Sequence, residues 1–224
     1  MGFAIAIDGP GGAGKSTIAK LLAKKLGFLY VDTGAMYRAV GLYGARRGLD
    51  LADEQVVYGY LDSLSIELQY IAGAQHIFLN DEDVTDAIRT AEAGKGAASV
   101  AVHAGVREKL VEMQRQMAAR ENVVMDGRDI GTHVLKDADV KIYLDASVET
   151  RARRRCAELQ SLQLSFDYDI IKNGLIERDA SDMNRAISPL RQAADAVRID
   201  SGDMTPEAVA DAILTIARAR GLER

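Results

Sequence analysis

The sequence has few cysteines and prolines and no long apolar run. Its 224 residues include one cysteine, Cys156, and three prolines. A single cysteine cannot form a disulfide within the chain, which fits a reducing compartment. No tract is proline-rich or of low complexity, so nothing indicates a flexible linker. No stretch approaches the roughly 20 consecutive apolar residues of a membrane-spanning helix. We therefore expect a cytoplasmic protein that does not interact with membranes.

Basic residues are also in the minority. The chain has 28 lysines and arginines against 33 aspartates and glutamates, a formal net charge of -5. Such a surface repels a polyanion, so we expect no nucleic-acid partner, and any bound anion requires a locally basic site. At about 150 residues per domain, the length predicts one large domain or one domain with an insertion. The first seven residues are apolar, lack a basic segment and lead into Asp8, which favours a first strand over a signal peptide.

Five short apolar runs indicate buried strands, and stretches with helical periodicity lie between and after them. The strand-like runs are 3–7, 28–31, 122–125, 140–144 and 196–199, and the helical stretches include 16–26, 105–120, 148–159 and 206–220. This alternation is typical of a parallel sheet covered by helices on both faces. The sequence therefore predicts an α/β fold with a five-stranded parallel sheet.

A long segment separates the second and third predicted strands. Residues 33–121 are far more than one crossover helix needs. Within them, the strand-like runs 65–70 and 76–80 flank a glycine-containing segment, 71–75, which predicts a small β hairpin. We therefore predict a core formed by residues 1–32 and 122–224 and an inserted subdomain formed by residues 33–121.

A glycine-rich loop lies between the first predicted strand and the first predicted helix. It matches the pattern G-x-x-x-x-G-K-[ST] and consists of Gly9, Pro10, Gly11, Gly12, Ala13, Gly14, Lys15, Ser16 and Thr17. Glycines let the backbone N–H groups surround phosphate oxygens, and the helix N-terminus adds partial positive charge. In this motif Lys15 reaches the β- and γ-phosphates and the Ser16 hydroxyl ligates Mg²⁺. The loop predicts a nucleoside triphosphate as ligand.

Two aspartates directly follow predicted strands, at the sheet edge where α/β folds bind ligands. They are Asp32 and Asp126. We expect both to flank the glycine-rich loop, and Asp126 is the candidate to hold a water of the Mg²⁺ shell. The alternative is a carboxylate that caps the following turn.

Arginine is frequent in the second half of this acidic chain. The residues concerned are Arg151, Arg153, Arg154, Arg155, Arg178, Arg185 and Arg191. On a helix, Arg151, Arg154 and Arg155 share one face, which suits a lid at about residues 150–170 that closes over the triphosphate. A solvated helix face and a nucleic-acid patch are the alternatives for such a run.

The absence of certain motifs limits the classes of phosphoryl acceptor that fit this sequence. The sequence contains no Asn-Lys-x-Asp, which GTPases need to read guanine, and no His-Arg-Asp or Asp-Phe-Gly of protein kinases. A small acceptor remains. If its attacking atom is a phosphate oxygen, that atom is already deprotonated at pH 7, so the enzyme needs charge neutralisation and alignment rather than a general base. Arginines fit this requirement.

Several segments resemble the bacterial cytidylate kinases of the nucleoside monophosphate kinase family. Besides the glycine-rich loop, they are 32–38 (DTGAMYR), 126–132 (DGRDIGT) and 177–190, and the likeness continues through 88–90, 99, 106–107 and 141–147. The loop alone is common to many ATPases, whereas Asp-Gly-Arg-Asp-Ile-Gly-Thr and the run Arg-Asp-x-x-Asp-x-x-Arg at 178–185 are specific to this family. The resemblance covers nearly the whole chain.

This resemblance implies transfer of the ATP γ-phosphoryl group, with Mg²⁺, to CMP or dCMP in pyrimidine nucleotide metabolism. It also implies a three-layer P-loop kinase core, an inserted subdomain that binds the nucleoside monophosphate, and a short lid. We expect the protein to be a monomer. Thr33 stands where many members have serine, and positions 181 and 183 are Ser and Met where some members carry basic residues.

The resemblance further implies the residues that bind the acceptor. They are Thr33, Arg38, Ser99, Arg107, Arg128, Asp129, Arg178, Asp182 and Arg185. Among them, Ser99, Arg107 and Asp129 would read the cytosine edge, because a carboxylate accepts from the N4 donor of cytosine and would face O4 of uracil without a bond. Arg178 and Asp182 would contact the ribose.

The catalytic residues would neutralise charge on the transferred phosphoryl group. They are Lys15, Arg128, Arg151, Arg154 and Arg185. Three alternatives remain: a kinase for another small acceptor such as UMP or AMP, a nucleotide-gated regulatory protein, and a nucleic-acid-dependent ATPase. ATP turnover of the second would not respond to CMP, and the net charge disfavours the third.

Overall fold

The computed structural model describes residues 2–71 and 74–223. Its strands are β1 (Ala4–Asp8), β2 (Leu29–Asp32), β3 (Ile66–Ile71), β4 (Ala74–Leu79), β5 (Glu82–Asp83), β6 (Val123–Gly127), β7 (Val140–Asp145) and β8 (Val197–Asp200). Its α-helices are α1 (Lys15–Leu26), α2 (Thr33–Ala45), α3 (Glu54–Leu61), α4 (Ala91–Val100), α5 (Ala104–Arg120), α6 (Val148–Ser161), α7 (Tyr168–Asn184) and α8 (Pro206–Ala219). A 3₁₀ turn covers Ala87–Arg89, and a π-helical turn covers Ile130–Val134.

The main sheet has five strands in the order β2-β6-β1-β7-β8. Strand β1 runs parallel to both β6 and β7, and β7 runs parallel to β8. Every residue of β1 and β6 is buried, as expected for central strands covered on both faces. The predicted α/β fold with a five-stranded parallel sheet is confirmed, and each predicted strand is present within one or two residues of its expected bounds. The prediction that all five strands are buried is wrong for β8, which is largely exposed because it lies at the edge of the sheet.

Helices α1 and α8 pack together over this sheet. Helix α1 buries Ile18, Leu22 and Leu26, which recur every four residues and therefore form one apolar face. Helix α8 begins where the Thr205 hydroxyl accepts a hydrogen bond from the Ala208 amide, with Pro206 at its first helical position. These faces join the strand side chains in one apolar core that fixes the strand ends.

The described chain divides into two compact units. The core unit contains the described residues up to Tyr30 and from Ala118 onward, and the inserted unit contains Val31–Met117. Within the inserted unit, α2 packs on α4, and β3, β4 and β5 form a small antiparallel sheet. The predicted hairpin is therefore present, although residues 72 and 73 of its expected turn lie outside the described residues. The assignment of residues 33–121 to acceptor binding and of 150–170 to a lid stays a prediction.

Two neighbouring helices of the core unit differ in burial. Helix α6 buries Arg151, Ala152 and Cys156, whereas α7, which packs against it, has no buried residue. Helix α7 is thus the more exposed element of the two. Over the ranges that the structure covers, no helix combines the length and the apolar character needed to cross a bilayer.

Candidate active site

The glycine-rich loop connects β1 to α1 at the centre of the sheet. Gly9 has φ of +147°, and a Cβ atom there would lie 2.0 Å from the Leu144 carbonyl oxygen, so only glycine allows the chain to leave β1 this close to β7. No side chain caps the first turn of α1. Its N–H groups therefore face the loop, in the arrangement that binds phosphate at helix N-termini.

Lys15 is buried beneath this loop. Its side chain is held by a 2.7 Å hydrogen bond from Nζ to the Pro10 carbonyl oxygen, and the residue is 5% exposed. Burial lowers the pKa of Lys15 to about 7, with a further decrease from the Arg128 guanidinium, against the opposing effect of Asp126 and Asp8. A bound phosphate dianion would raise the pKa of this amine and favour its charged form, because a buried cation is stabilised by a neighbouring opposite charge.

Ser16 and Asp126 are in direct contact. The Ser16 hydroxyl donates to Asp126 Oδ2 at 2.9 Å, and the Tyr30 hydroxyl donates to Asp126 Oδ1 at 2.9 Å. The two hydrogen bonds fix the carboxylate at the end of β6, beside the first turn of α1. A hydroxyl and a carboxylate are ligands that Mg²⁺ accepts. Within the described ranges, His, Cys, Asp and Glu form no group of three that could hold a metal, so a bound Mg²⁺ would need phosphate and water oxygens as well.

Arg151 and Arg154 of α6 both contact the backbone of the loop. Arg151 donates from Nη1 to the Gly11 carbonyl oxygen at 3.0 Å, and Arg154 donates from Nη1 to the Ala13 carbonyl oxygen at 3.5 Å. Arg155 instead pairs with Glu158 at 2.6 Å and is half exposed. The three arginines predicted to share a face are therefore divided, because Arg155 lies on the solvent side of the helix.

Each of three core-unit arginines is paired with an aspartate. Arg128 Nε lies 2.6 Å from Asp182 Oδ2, Arg151 Nη2 lies 2.7 Å from Asp179 Oδ2, and Arg185 Nη2 lies 3.4 Å from Asp129 Oδ1. We call these contacts the arginine–aspartate pairs. All six side chains are at most 20% exposed, so the pairs are more than surface ion pairs.

Arg128 and Arg178 also approach the loop. A Cβ atom built on Gly11 would lie 3.6 Å from Nη2 of Arg128 and 3.6 Å from Cδ of Arg178. Together with Lys15, they place three basic side chains at this edge of the sheet in a chain that is acidic overall, although Arg128 is paired with Asp182. Such a cluster is the locally basic site that the composition demands of an anion-binding protein.

The remaining predicted acceptor residues lie in the inserted unit. Thr33 and Arg38 are on α2, where Thr33 is buried and Arg38 Nη2 lies 3.0 Å from Asp32 Oδ2. Asp32 Oδ1 also accepts from the Ala35 amide at 2.9 Å, so Asp32 caps α2, the alternative considered from the sequence. Ser99 lies half-buried on α4.

Arg107 is the most buried of the inserted unit's predicted acceptor residues, with 3% exposure. It lies on α5, and its guanidinium carbon is 5.8 Å from the centroid of the Tyr37 ring. Its Nη1 lies 3.5 Å from the Ala101 carbonyl oxygen. A cation against an aromatic ring in a buried position is a stable local arrangement.

Asp8, Asp179 and Ser201 were missed in the sequence. Asp8 ends β1 as Asp126 nearly ends β6, so the rule that singled out strand-end aspartates applies to it equally. Asp179 is three residues from Asp182, a spacing that places both on one face of α7. Ser201, whose hydroxyl contacts the Ala13 carbonyl oxygen at 3.1 Å, has no signal in the sequence.

The chain is similar to known proteins over nearly its full length. A family model described as cytidylate kinase matches residues 5–219. The cytidylate kinase of Shouchella clausii is 47% identical over 217 residues, which is 97% of this chain and 96% of that protein. The cytidylate kinase of Desulfitobacterium hafniense is 48% identical over 212 residues, which is 95% of this chain and 91% of that protein.

A solved structure supports the fold independently. An uncharacterized protein from Eubacterium ventriosum superposes with a TM-score of 0.52 at 13% identity, over 97% of this chain and 99% of that one. At this identity the likeness concerns the fold alone. The family model and the curated relatives carry the assignment further: the chain belongs to the cytidylate kinase family.

Proposed function

We propose that this protein transfers the γ-phosphoryl group of ATP to CMP or dCMP. The observation that carries the proposal is the position of Arg128, on the turn after β6, beside the glycine-rich loop at Gly11. A loop that binds triphosphate and an arginine suited to a second phosphate are thereby close together within one unit. Family membership supports the same reaction, since the relatives are named for it.

The donor side rests on Lys15 and the loop amides. They bind and orient the β- and γ-phosphates, and Ser16 and Asp126 are the residues that would hold Mg²⁺, directly and through water. When bound, Mg²⁺ would neutralise charge on the triphosphate oxygens. Arg151 and Arg154, which brace the loop through its carbonyl groups, are proposed to stabilise charge that develops during transfer.

The acceptor side rests on residues that are already paired. When a monophosphate arrives, its oxygens compete with Asp182 for Arg128 and with Asp129 for Arg185. The resemblance adds Thr33 and Arg38 as further residues near the acceptor phosphate, and Arg185 as a second phosphate ligand. It assigns Ser99 and Arg107, with Asp129, to the cytosine edge, and Arg178 and Asp182 to the ribose. No general base is required, because the attacking phosphate oxygen carries no proton at pH 7.

Discrimination between bases is proposed to depend on Asp129. A carboxylate accepts a hydrogen bond from the N4 amino group of cytosine, whereas O4 of uracil would face it as a second acceptor. Sites built on a hydrogen bond reject an analogue that lacks the group much more strongly than apolar pockets do. CMP and dCMP share this edge, so both are proposed substrates.

A panel of acceptors tests the proposed function. ADP release from Mg·ATP is measured with CMP, dCMP, UMP, AMP and no acceptor at equal concentration. Stimulation chiefly by CMP and dCMP supports the proposal. Equal ADP release without acceptor would indicate an ATPase or a nucleotide switch, and a preference for UMP or AMP would overturn the role of Asp129 while keeping the kinase.

We further propose that the enzyme is a monomer that works in the cytoplasm. The single cysteine supports a reducing compartment. Light scattering of the purified protein tests the monomer, since the mass of one chain is 24.2 kDa.

A further inference from the structure

Asp8 binds the turn that follows β6 with both oxygens of its carboxylate. Oδ1 accepts from the Ile130 amide at 2.8 Å, and Oδ2 accepts from the Gly131 amide at 2.8 Å. The residue is 4% exposed. It ends the central strand β1, where it is paired in register with Gly127 of β6 and Tyr143 of β7. A buried carboxylate that accepts from two consecutive amides is a rigid contact, because each of its two oxygens is held by a hydrogen bond.

This contact replaces the cap that the turn would otherwise take from Asp129. Asp129 precedes the π-helical turn Ile130–Val134 and makes no capping hydrogen bond with its side chain. An aspartate at such a position ordinarily accepts from the first amides of its own helix. Here Asp8 accepts from those amides, and the Asp129 carboxylate is directed to Arg185 at 3.4 Å.

We infer that Asp8 is a positioning residue for the acceptor: its carboxylate fixes the turn after β6 so that Arg128 and Asp129 are held ready for CMP. The inference rests on the proposed function, since it assigns a purpose to residues proposed there as acceptor ligands. Because Asp8 directly precedes Gly9, it links the glycine-rich loop to the residues proposed to bind the acceptor.

Close packing leaves this contact little room to move. A Cβ atom on Gly131 would lie 3.2 Å from Lys141 Cδ and 3.4 Å from Asp8 Oδ2. Glycine at position 131 therefore lets the amide reach the carboxylate. The charged groups that act on Asp8 are Lys15 and Asp129. Burial raises the pKa of Asp8 to about 6, although its two amide hydrogen bonds and Lys15 oppose this.

The test is Asp8→Asn in the full-length enzyme, with Asp145→Asn as the matched control. Asn keeps the shape but turns one acceptor into a donor that faces an amide N–H. Asp145 also ends a strand of the same sheet and accepts from a following amide at 2.9 Å, but it contacts no proposed acceptor ligand. We expect Asp8→Asn to raise KM for CMP about tenfold or more and KM for ATP less than threefold, and Asp145→Asn to change neither by more than twofold.

Two further measurements keep the inference testable if Asp8→Asn folds poorly. Gly131→Ala adds a methyl group next to the Asp8 carboxylate and should also raise KM for CMP more than KM for ATP. In the wild-type enzyme without nucleotides, the amide resonance of Gly131 should titrate near pH 6, and in Asp8→Asn it should not. The inference is wrong if both substrates are affected equally, if Asp145→Asn gives the same change, or if the Gly131 resonance titrates alike in both proteins.

If CMP does not stimulate ADP release by the wild-type enzyme, the proposed function is wrong instead. In that case the Gly131 titration still decides whether Asp8 orders the turn. The two failures are therefore distinguishable, because one is read from the acceptor panel and the other from the amide signal.

Discussion

The phosphate loop and the arginine–aspartate pairs hold their cations in different ways. In the loop, Lys15 and Arg154 are bound to the neutral carbonyl groups of Pro10 and Ala13. Arg151 belongs to both sets, because it is bound to the Gly11 carbonyl group and to the Asp179 carboxylate. In the pairs, Arg128 and Arg185 are bound to the carboxylates of Asp182 and Asp129. A phosphate can therefore bind to Lys15 and Arg154 without displacing a charged partner, but it must displace a carboxylate to bind to the arginines of the pairs.

This difference indicates a division of roles. We propose that the loop is organised before the donor binds and that its cations favour the transition state. We propose that the acceptor replaces an aspartate in the Arg128 and Arg185 pairs, and that these two pairs thereby set acceptor affinity and specificity. Substitutions in the loop should then lower the rate, and substitutions in the pairs should change acceptor parameters as well.

The largest expected effect is that of Lys15→Met on transfer. Because this lysine is proposed to hold the transferred group, we expect kcat to fall about 10³-fold, the range seen when a preorganised electrostatic contact is removed. Steady-state ADP release with CMP measures this loss. Lys20→Met, at an exposed position on the same helix, is the control. A loss of less than tenfold would contradict the role.

The same variant also tests the cost of burying this cation. Folding lowers the pKa of Lys15 to about 7, so the unfolded chain binds more protons between about pH 7 and 10.4. The contribution of Lys15 to the free energy of unfolding of the wild-type protein therefore rises with pH in that window. The destabilisation caused by burying this amine is greatest below pH 7. Lys15→Met should have a higher Tm than wild type at pH 6 and a smaller advantage at pH 9. A lower Tm at pH 6 would show that the lysine stabilises the fold.

Arg128→Ala should come next in size. We expect kcat to fall about 10²-fold while the affinity for ATP changes little, because Arg128 is proposed to act on the acceptor and the transferred group. Equilibrium binding of ATP and steady-state kinetics separate the two. Near-normal kcat with CMP would exclude this role of Arg128. Arg198→Ala is the control, because Arg198 pairs with Asp145 at the exposed edge of the sheet.

Asp129→Asn should relax base discrimination. The amide keeps one acceptor and gains a donor that suits O4 of uracil, so we expect the ratio of kcat/KM for CMP to that for UMP to fall about tenfold to a hundredfold. An unchanged ratio would place base recognition elsewhere. Asp129→Ala provides the matched comparison, since it removes the contact to CMP without adding one to UMP.

Ser201→Ala should have the smallest effect and act on stability. The Ser201 hydroxyl lies 3.1 Å from both the Ala13 and the Asp145 carbonyl oxygens and accepts from Arg154 at 3.1 Å. We expect its loss to cost about 1–2 kcal/mol, a decrease in Tm of several degrees, with kcat within threefold. Ser161→Ala is the control, because that hydroxyl is exposed and bonds only within its helix end. If kcat instead falls by much more than threefold, Ser201 is needed for the geometry of the loop as well as for stability.

Much of the fold could be predicted because its signals are local. Each buried strand is an apolar run of a few residues, and the loop from Gly9 to Thr17 is a contiguous motif between a strand and a helix. The hairpin of the inserted unit followed from two such runs. Periodicity and turn residues carry this information without reference to the rest of the chain.

The partners of the charged residues could not be predicted in the same way. Whether Arg128 meets Asp182 depends on how α7 docks near β6, and α7 has no buried residue whose pattern would show its position. The separation of Arg155 from Arg151 and Arg154 depends on the rotation of α6 about its axis. The role of Asp8 depends on a turn more than 120 residues away, so only the tertiary structure reveals it.

The most direct test of the account is a single-turnover reaction with ATP labelled at the γ-phosphate and an excess of enzyme and CMP. The account predicts that the label appears in CDP and that little appears as inorganic phosphate, with Lys15→Met giving neither product at a comparable rate. Label that appears mainly as inorganic phosphate, or that stays in ATP when CMP is present, would contradict it.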